Sequence, residues 1–567
     1  MNINSQYLFE PPQPDNPTDA ERYVLARFAL EEKGWPEDLD AILQLLSPPA
    51  PVTGLAQPGL FRGLKVGVIG GGLAGLSAAY ELRKLGFEIK MFDALEDRVG
   101  GRVYTYYFNG QKDLYHEFGA MRIPVTHETV WHYVNLFQLP TRTFIQSNPN
   151  GYIYLKNTRV RNDRSGQSVM QYIYPYYDDL TSFERTLSWQ QMFYMGIDSH
   201  LLSATPEERL QIIQVLPQYG DKALTWSDNT SLRMIQAAGL SQGAINLIQN
   251  FHPVLAGNLY NSYIDYIQED YPGSTTFEYE IPGGLCQLPL SFYRSLLSPN
   301  PYPELGGAYA GPASYLKGCW VEGIHYDGGG KVQLRYQHVR SRQRFAEDFD
   351  FVVCAIPFST LRAVDIDPLF SGIKMRAIRE VNYAPAQKSM MLFQERFWEK
   401  GGIFGGSSMT DQPVSSIWYP SDHAQYLNNP NGFIPDNLWK KPGVILASYN
   451  FNLDSTRLYN QPEDAMLEEI KKQISRVHGL PLNYMDSVVQ GFKSVNWNQQ
   501  PAFRGALCYF APEQKEIFAY GMALPEYEGR VFFAGEHISG LHRWMQSALQ
   551  TGMQAANDLT LSCLARS

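Results

Sequence analysis

The sequence predicts an α/β fold, with a strand–turn–helix–strand unit near residue 65, a helix-rich middle, and strands again before a closing helix. Three observations carry this reading. The stretch "KVGVIGGGLAGLSAAYELRKLGFEIKMFDAL" runs from a short apolar strand pattern through a glycine turn into a helical pattern and a second strand. Residues 165–270 carry helical spacing, as in "TPEERLQIIQVL" and "SQGAINLIQNF". Strand patterns return near residue 315, and the chain ends on "GRVFFAGEHISG" followed by the helical "SALQTGMQAANDLTL".

Each element has a local reason. Residues 1–60 read as an arm packed on the main body. "FEPPQPDNP" and "LSPPAPVTGLAQPG" are Pro-rich, and "DAERYVLARFALEEKG" between them is a helix with Thr18 or Asp19 as its N-cap. "LSAAYELRKLG" is a helix that ends at Gly86. "KVQLRYQHV" alternates as a half-buried strand does, and "DFVVCAIP" is a buried strand stopped by Pro357. "GVILASYNF" is a further strand. No internal repeat or low-complexity tract interrupts the chain.

Bulk properties set limits. A chain of 567 residues is too long for one core, so two or three domains are expected. With 44% hydrophobic and 18% charged residues, the composition is that of a soluble globular protein. No apolar run approaches bilayer length, and no membrane role is expected. The first residues lack a signal-peptide pattern, which predicts a cytoplasmic location. Five cysteines are scattered without a CxxC pair, which argues against a metal site and against a disulfide framework. A net charge of -10 argues against a nucleic-acid partner.

Gly70, Gly72 and Gly75 form G-x-G-x-x-G between a strand and a helix. The first permits a tight turn, the second lets backbone approach a pyrophosphate, and the third lets helix and strand pack closely. Asp93 follows the second strand, 18 residues beyond Gly75, where an acid accepts hydrogen bonds from ribose hydroxyls. Just beyond it, "EDRVGGRVYT" offers Arg98, Gly100, Gly101 and Arg102 as a second approach to a pyrophosphate.

That stretch resembles the second glycine motif of FAD-dependent amine oxidases. "RVFFAGEHISGLHRWMQSALQTGMQAA" resembles the closing flavin motif of the same family, and "EIPGGLCQLPLSF" and the strand around Val321 also match. The resemblance runs from about residue 63 to 560. It implies a Rossmann-like FAD-binding domain of the glutathione-reductase/amine-oxidase type, assembled from 61–125, 277–380 and 490–567. It also implies a mixed-sheet substrate-binding domain from 126–164 and 381–489 and a helical domain at 165–276. It assigns FAD contacts to Leu73 and Ala74, to Ala94 beside Asp93, to Gly119, Ala120, Met121 and Arg122, and to Val321. At the closing motif it assigns Gly535, Trp544 and Met545, with Glu536 holding the ribityl chain. The helix start at Gln546 and Ser547 would face the flavin pyrimidine ring.

"YHEFGAMRIP" places Arg122 among small and apolar residues. A buried guanidinium needs an anion, either an internal acid such as Glu117 or a ligand. The segment resembles the G-x-M-R-[FILM]-P motif of L-amino acid oxidases and amino-acid monooxygenases, where this Arg clamps the substrate carboxylate. By the same resemblance Tyr449 donates to that carboxylate, Trp544 walls the site beside the flavin, and Lys388 in "APAQKSMMLF" holds a water near flavin N5. Arg543 departs from the small residue of some relatives, and it is expected to face solvent or the flavin. Monoamine oxidases attach flavin through a Cys. Here Leu507 takes that position in "RGALCYF", so the FAD is expected to be non-covalent and Cys508 a core residue. The expected reaction is oxidative deamination of L-amino acids by dioxygen, with bulky apolar or broad side-chain preference. A 2-monooxygenase, an amine oxidase without carboxylate specificity and a non-catalytic escort-type binding protein stay open as alternatives. A homodimer or higher oligomer is expected.

Overall fold

Apolar residues run through Lys65–Ile69 (β1), whose last four residues are all buried, so this strand belongs in the middle of a sheet. In the computed structural model, which describes residues 10–302, 305, 310–427 and 434–566, it lies there. Residues 1–9 of the expected arm lie outside the described residues. β1 pairs in parallel with Glu88–Asp93 (β2) and, on its other side, with a strand far away in sequence. Ala313–Lys317 (β3), Phe351–Cys354 (β4) and Val531–Phe533 (β5) complete the order β3-β2-β1-β4-β5.

Helix α1 (Leu73–Lys84) leaves β1 through the glycine turn. A Cβ on Gly75 would overlap the Gly70 carbonyl oxygen, which is why helix and strand approach so closely there. The closing helix α3 (Met545–Leu564) lies against α1, after α2 (Tyr263–Asp270) of the helical region. A Cβ on Gly552 of α3 would overlap the Ala74 carbonyl oxygen and Ser77 Oγ, and Ser77 Oγ donates to the Leu549 carbonyl at 3.1 Å.

Among the described residues a seven-stranded mixed sheet stands beside this domain, with Ala386–Phe393 between Val489–Asn496 and Gly443–Phe451. The strand Val489–Asn496 therefore belongs to the mixed sheet, although most of it falls in the 490–567 segment expected for the dinucleotide domain. Only the register of a distant partner decides such a boundary.

The helix Asp19–Lys33 begins with the Thr18 cap, closed reciprocally by Glu21. Buried Arg22 ties it to the body by donating to the Val125 carbonyl at 2.6 Å and to Glu128 at 2.5 Å. In the helical region "TPEERLQIIQVL" forms only a short α-helix, Pro206–Leu210, and one 3-10 turn, Gln211–Ile213. "SQGAINLIQNF" likewise gives Gln242–Ile248 and a 3-10 turn. The spacing located these helices, and each passes into a 3-10 turn in its last residues.

The α1–α3 contact supplies a direct test. Gly552→Val should cost about 1–3 kcal/mol by overpacking, read as a lower Tm in thermal unfolding. Ala548→Val, one turn earlier on α3, points to the cleft and should leave Tm much closer to that of the parent.

Candidate active site

Gly72 caps α1 with no side-chain hydrogen bond, so the first N–H groups of the helix are free to meet an anion. A Cβ added at Gly72 would touch nothing within 4 Å, so the backbone there faces open space. That space is a cleft of about 1390 Å³. Gly70, Gly72, Leu73, Ala74, Asp93, Ala94, Gly100, Gly101 and Arg102 line one part of it; Gly119, Ala120, Val321, Gly535, Glu536, Trp544 and Met545 line the rest. Lys388, Tyr449 and Arg543 close its far end.

Asp93 ends β2 with its carboxylate in the cleft, where it accepts from Tyr315 Oη and from the Leu95 N–H at 3.1 Å. Burial raises its pKa, and these two bonds oppose the rise. Glu536 is buried beside Arg102, whose Nη1 donates to it at 2.7 Å. The backbone N–H groups of Cys508 and Arg543 also donate to it, at 3.2 and 3.0 Å. Burial pushes the Glu536 pKa up, but Arg102 and its other donors hold it below the ordinary value. An uncapped helix end, a terminal acid after β2 and a long cleft together fit an extended ligand with phosphate and ribose groups.

Some expected contacts lie elsewhere, and neither Met121 nor Arg122 is among the residues that line the cleft. Gly75 is under the cleft floor. Arg98 turns to the Gly101 carbonyl and stacks on Tyr104 at 4.1 Å, so it props the glycine pair. Gln546 is fully buried; its side chain accepts from the Thr129 N–H at 2.9 Å and donates to the Leu46 carbonyl at 2.6 Å. Ser547 donates to the Leu541 carbonyl. Neither side chain lines the cleft; both anchor the start of α3, which itself opens beside Trp544 and Met545.

Lys388 and Tyr449 are cross-strand partners in the mixed sheet. Lys388 Nζ donates to the carbonyls of Gly119 at 2.7 Å and Glu117 at 3.2 Å and lies 3.3 Å from Met121 Sδ. Burial drives its pKa down to about 7, against the pull of Glu117. It also lies 4.3 Å from the Tyr449 ring centroid. Burial raises the Tyr449 pKa to about 12, so its hydroxyl is a donor at neutral pH.

Arg122 sits between Trp418 and Trp544, 5.5 and 5.8 Å from their ring centroids. Its Nη1 donates to Gln146 Oε1 at 2.6 Å. Its acids are Glu278, 3.1 Å from Nε, and Glu269, 3.5 Å from Nη2. Glu117 is not among them: it accepts from Thr105 Oγ1 at 2.9 Å and from the Leu285 N–H at 2.7 Å. Arg543 does not face solvent. Its side chain is 6% exposed and donates to Asp265 Oδ2 at 3.1 Å and the Asp265 carbonyl at 2.9 Å. Sequence reasoning missed Glu269, Glu278 and Asp265. A usable signal was present in "YIDYIQED", where Asp265 and Glu269 sit four apart on one face of a helix that is buried throughout.

A cleft that begins at the glycine turn, carries Asp93 and Glu536 in its lining and reaches the buried amine of Lys388 fits a nucleotide-dependent oxidoreductase. A family model described as flavin containing amine oxidoreductase matches residues 73–560, and the chain belongs to that family, with a flavin as cofactor. It is 31% identical over 499 residues to a Bacillus subtilis (strain 168) protein named "Putative L-amino-acid oxidase YobN", covering 87% of this chain and 94% of that one. It is 28% identical to an L-amino-acid oxidase of Pseudechis australis, over 88% of this chain and 87% of that one. A solved structure of wild-type putrescine oxidase bound to putrescine is similar with a TM-score of 0.64 at 15% identity, over 87% of this chain and 98% of that one. No helix among the described residues is long and apolar enough to cross a membrane.

Removing the cation beside Glu536 tests the electrostatics of the cleft. Arg102→Leu should cost about 3–5 kcal/mol, because it leaves a buried carboxylate unpaired. Thermal unfolding of the purified protein measures it.

Proposed function

We propose that this protein is an FAD-dependent L-amino acid oxidase, converting L-amino acids to 2-oxo acids with release of ammonia and hydrogen peroxide. The observation that carries the reading is Arg122, a buried guanidinium between two tryptophan rings and within electrostatic reach of Tyr449. An α-amino acid brings the carboxylate such a fork binds bidentately, which a simple amine lacks. The relatives named as L-amino-acid oxidases support the same choice.

Arg122 and the Tyr449 hydroxyl hold the substrate carboxylate. Trp544 and Trp418 wall the site and exclude water. Fixing the carboxylate fixes the direction of the Cα–H bond, and this positioning supplies much of the rate. Lys388, held by two backbone carbonyls and in no ion pair among the described residues, is half neutral near pH 7 and takes up a proton at Nζ. A flavin bound in the cleft would supply the two-electron acceptor, with dioxygen as the final oxidant. Asp93 and Glu536 would hold its ribose and ribityl hydroxyls, and the α1 N-terminus its pyrophosphate. Leu507 lines the cleft at the position where a covalent attachment would need a cysteine. Cys508 is fully buried, and burial, with Glu536 nearby, pushes its thiol pKa far up. Both features favour a non-covalent flavin.

Arg122→Met should lower kcat/KM for L-amino acids by about 2–5 kcal/mol in transition-state terms, measured by peroxide release. Retention of parental kcat/KM would sink the clamp. Protonation of Lys388 removes its proton-accepting capacity, so kcat should fall as pH drops through about 7. In Lys388→Met that acidic limb should vanish, with kcat lower by roughly 10²-fold. A pH–rate profile of both proteins checks this.

A further inference from the structure

Buried acid outnumbers the cations that serve it around Arg122. Glu278 is fully buried, and its ion-pair partner is Arg122 Nε. It lies beside Arg122 because Ile123–Pro124 pairs with Glu278–Glu280. Burial raises its pKa to about 8, against the pull of Arg122. Glu269 is almost as buried, and its two ionic contacts are long: 3.5 Å to Arg122 Nη2 and 3.8 Å to Arg543 Nε. Arg543 is committed to Asp265, by one side-chain and one backbone acceptor. Arg122 is thus the cation that two glutamates share.

Burial keeps Glu278 largely protonated at neutral pH, so a substrate carboxylate on Arg122 takes counter-charge chiefly from Glu269. Buried carboxylates left without a cation are costly. A substrate whose side chain is itself a cation restores the balance, and an apolar side chain does not. A separate observation points the same way. The hydroxyls of Tyr266 and Tyr509 are buried without a hydrogen-bond partner among the described residues. Both lie within electrostatic reach of Glu269. A carboxylate with two free phenolic oxygens near it offers the acceptors that a guanidinium or ammonium group requires.

We propose that Glu269 selects L-amino acids with a cationic side chain, arginine and lysine, by receiving that cation while Arg122 holds the carboxylate. The assignment rests on the oxidase reading above. Glu278 stays behind Arg122 and holds its guanidinium in place.

The test is peroxide release by the purified holoenzyme with L-arginine, L-lysine, L-leucine, L-phenylalanine and L-citrulline, the uncharged near-isostere of arginine. L-Arginine or L-lysine should exceed all three neutral substrates in kcat/KM by roughly tenfold or more. Glu269→Gln should lower the ratio of kcat/KM for L-arginine to that for L-leucine at least tenfold, whatever it does to both through Arg122. Preference of the parent for leucine or phenylalanine, or equal use of arginine and citrulline, overturns the selection by charge but leaves the oxidase reading intact. An equal loss on every substrate in Glu269→Gln overturns the role of Glu269. No turnover of any L-amino acid overturns both readings. If Glu269→Gln does not retain its flavin absorbance, the arginine-to-citrulline ratio of the parent enzyme decides.

Discussion

A guanidinium in an apolar chamber cannot remain there unless anions meet it, and the organisation around Arg122 follows from that constraint. Trp418 and Trp544 flank the group, so water cannot solvate it freely. The protein answers from three directions. A short antiparallel strand pair brings Glu278, the buried helix α2 brings Glu269, and Gln146 accepts the remaining donor. None of these neighbours is near Arg122 in sequence. Their convergence couples the parallel-sheet domain, the mixed sheet and the helical region at one point.

The two ends of the cleft are built by different physics. The end at the glycine turn is made of backbone: a turn without side chains, a helix start without a side-chain cap, and an acid at a strand end. The end around Lys388 is made of side chains that burial has altered. Lys388 is held by carbonyl oxygens instead of a carboxylate, so nothing stabilises its charge strongly and its pKa falls to about 7. Arg122 faces the same burial, but it has acids, and its charge is kept. The opposite outcomes for two buried cations come from their partners.

Arg543 shows how an unusual residue is accommodated. Its backbone has φ +78°, a conformation that favours glycine, yet the side chain is long and charged. Asp265 takes the guanidinium from below, and the Tyr509 ring lies 4.6 Å from it. The Arg543 N–H meanwhile donates to Glu536. One residue thus links helix α2 to the acid that lies along the cleft, and the cost of its backbone is offset by that clasp.

The sequence by itself determined what depends on neighbours along the chain. The glycine turn, Asp93, the capped helix at Thr18, the strand "GVILASYNF" and the isolated Arg122 were all legible there, because their spacing and residue types carry the physical reason locally. Tertiary structure alone decided what depends on register and on packing between distant segments. It placed Lys388 opposite Tyr449 and sent the Gln546 side chain away from the cleft. It gave Arg122 the partners Glu278 and Glu269 where Glu117 was the nearest acid in sequence. Charge pairing in a buried site is set by distances through space, and those are fixed only when the sheets and helices dock.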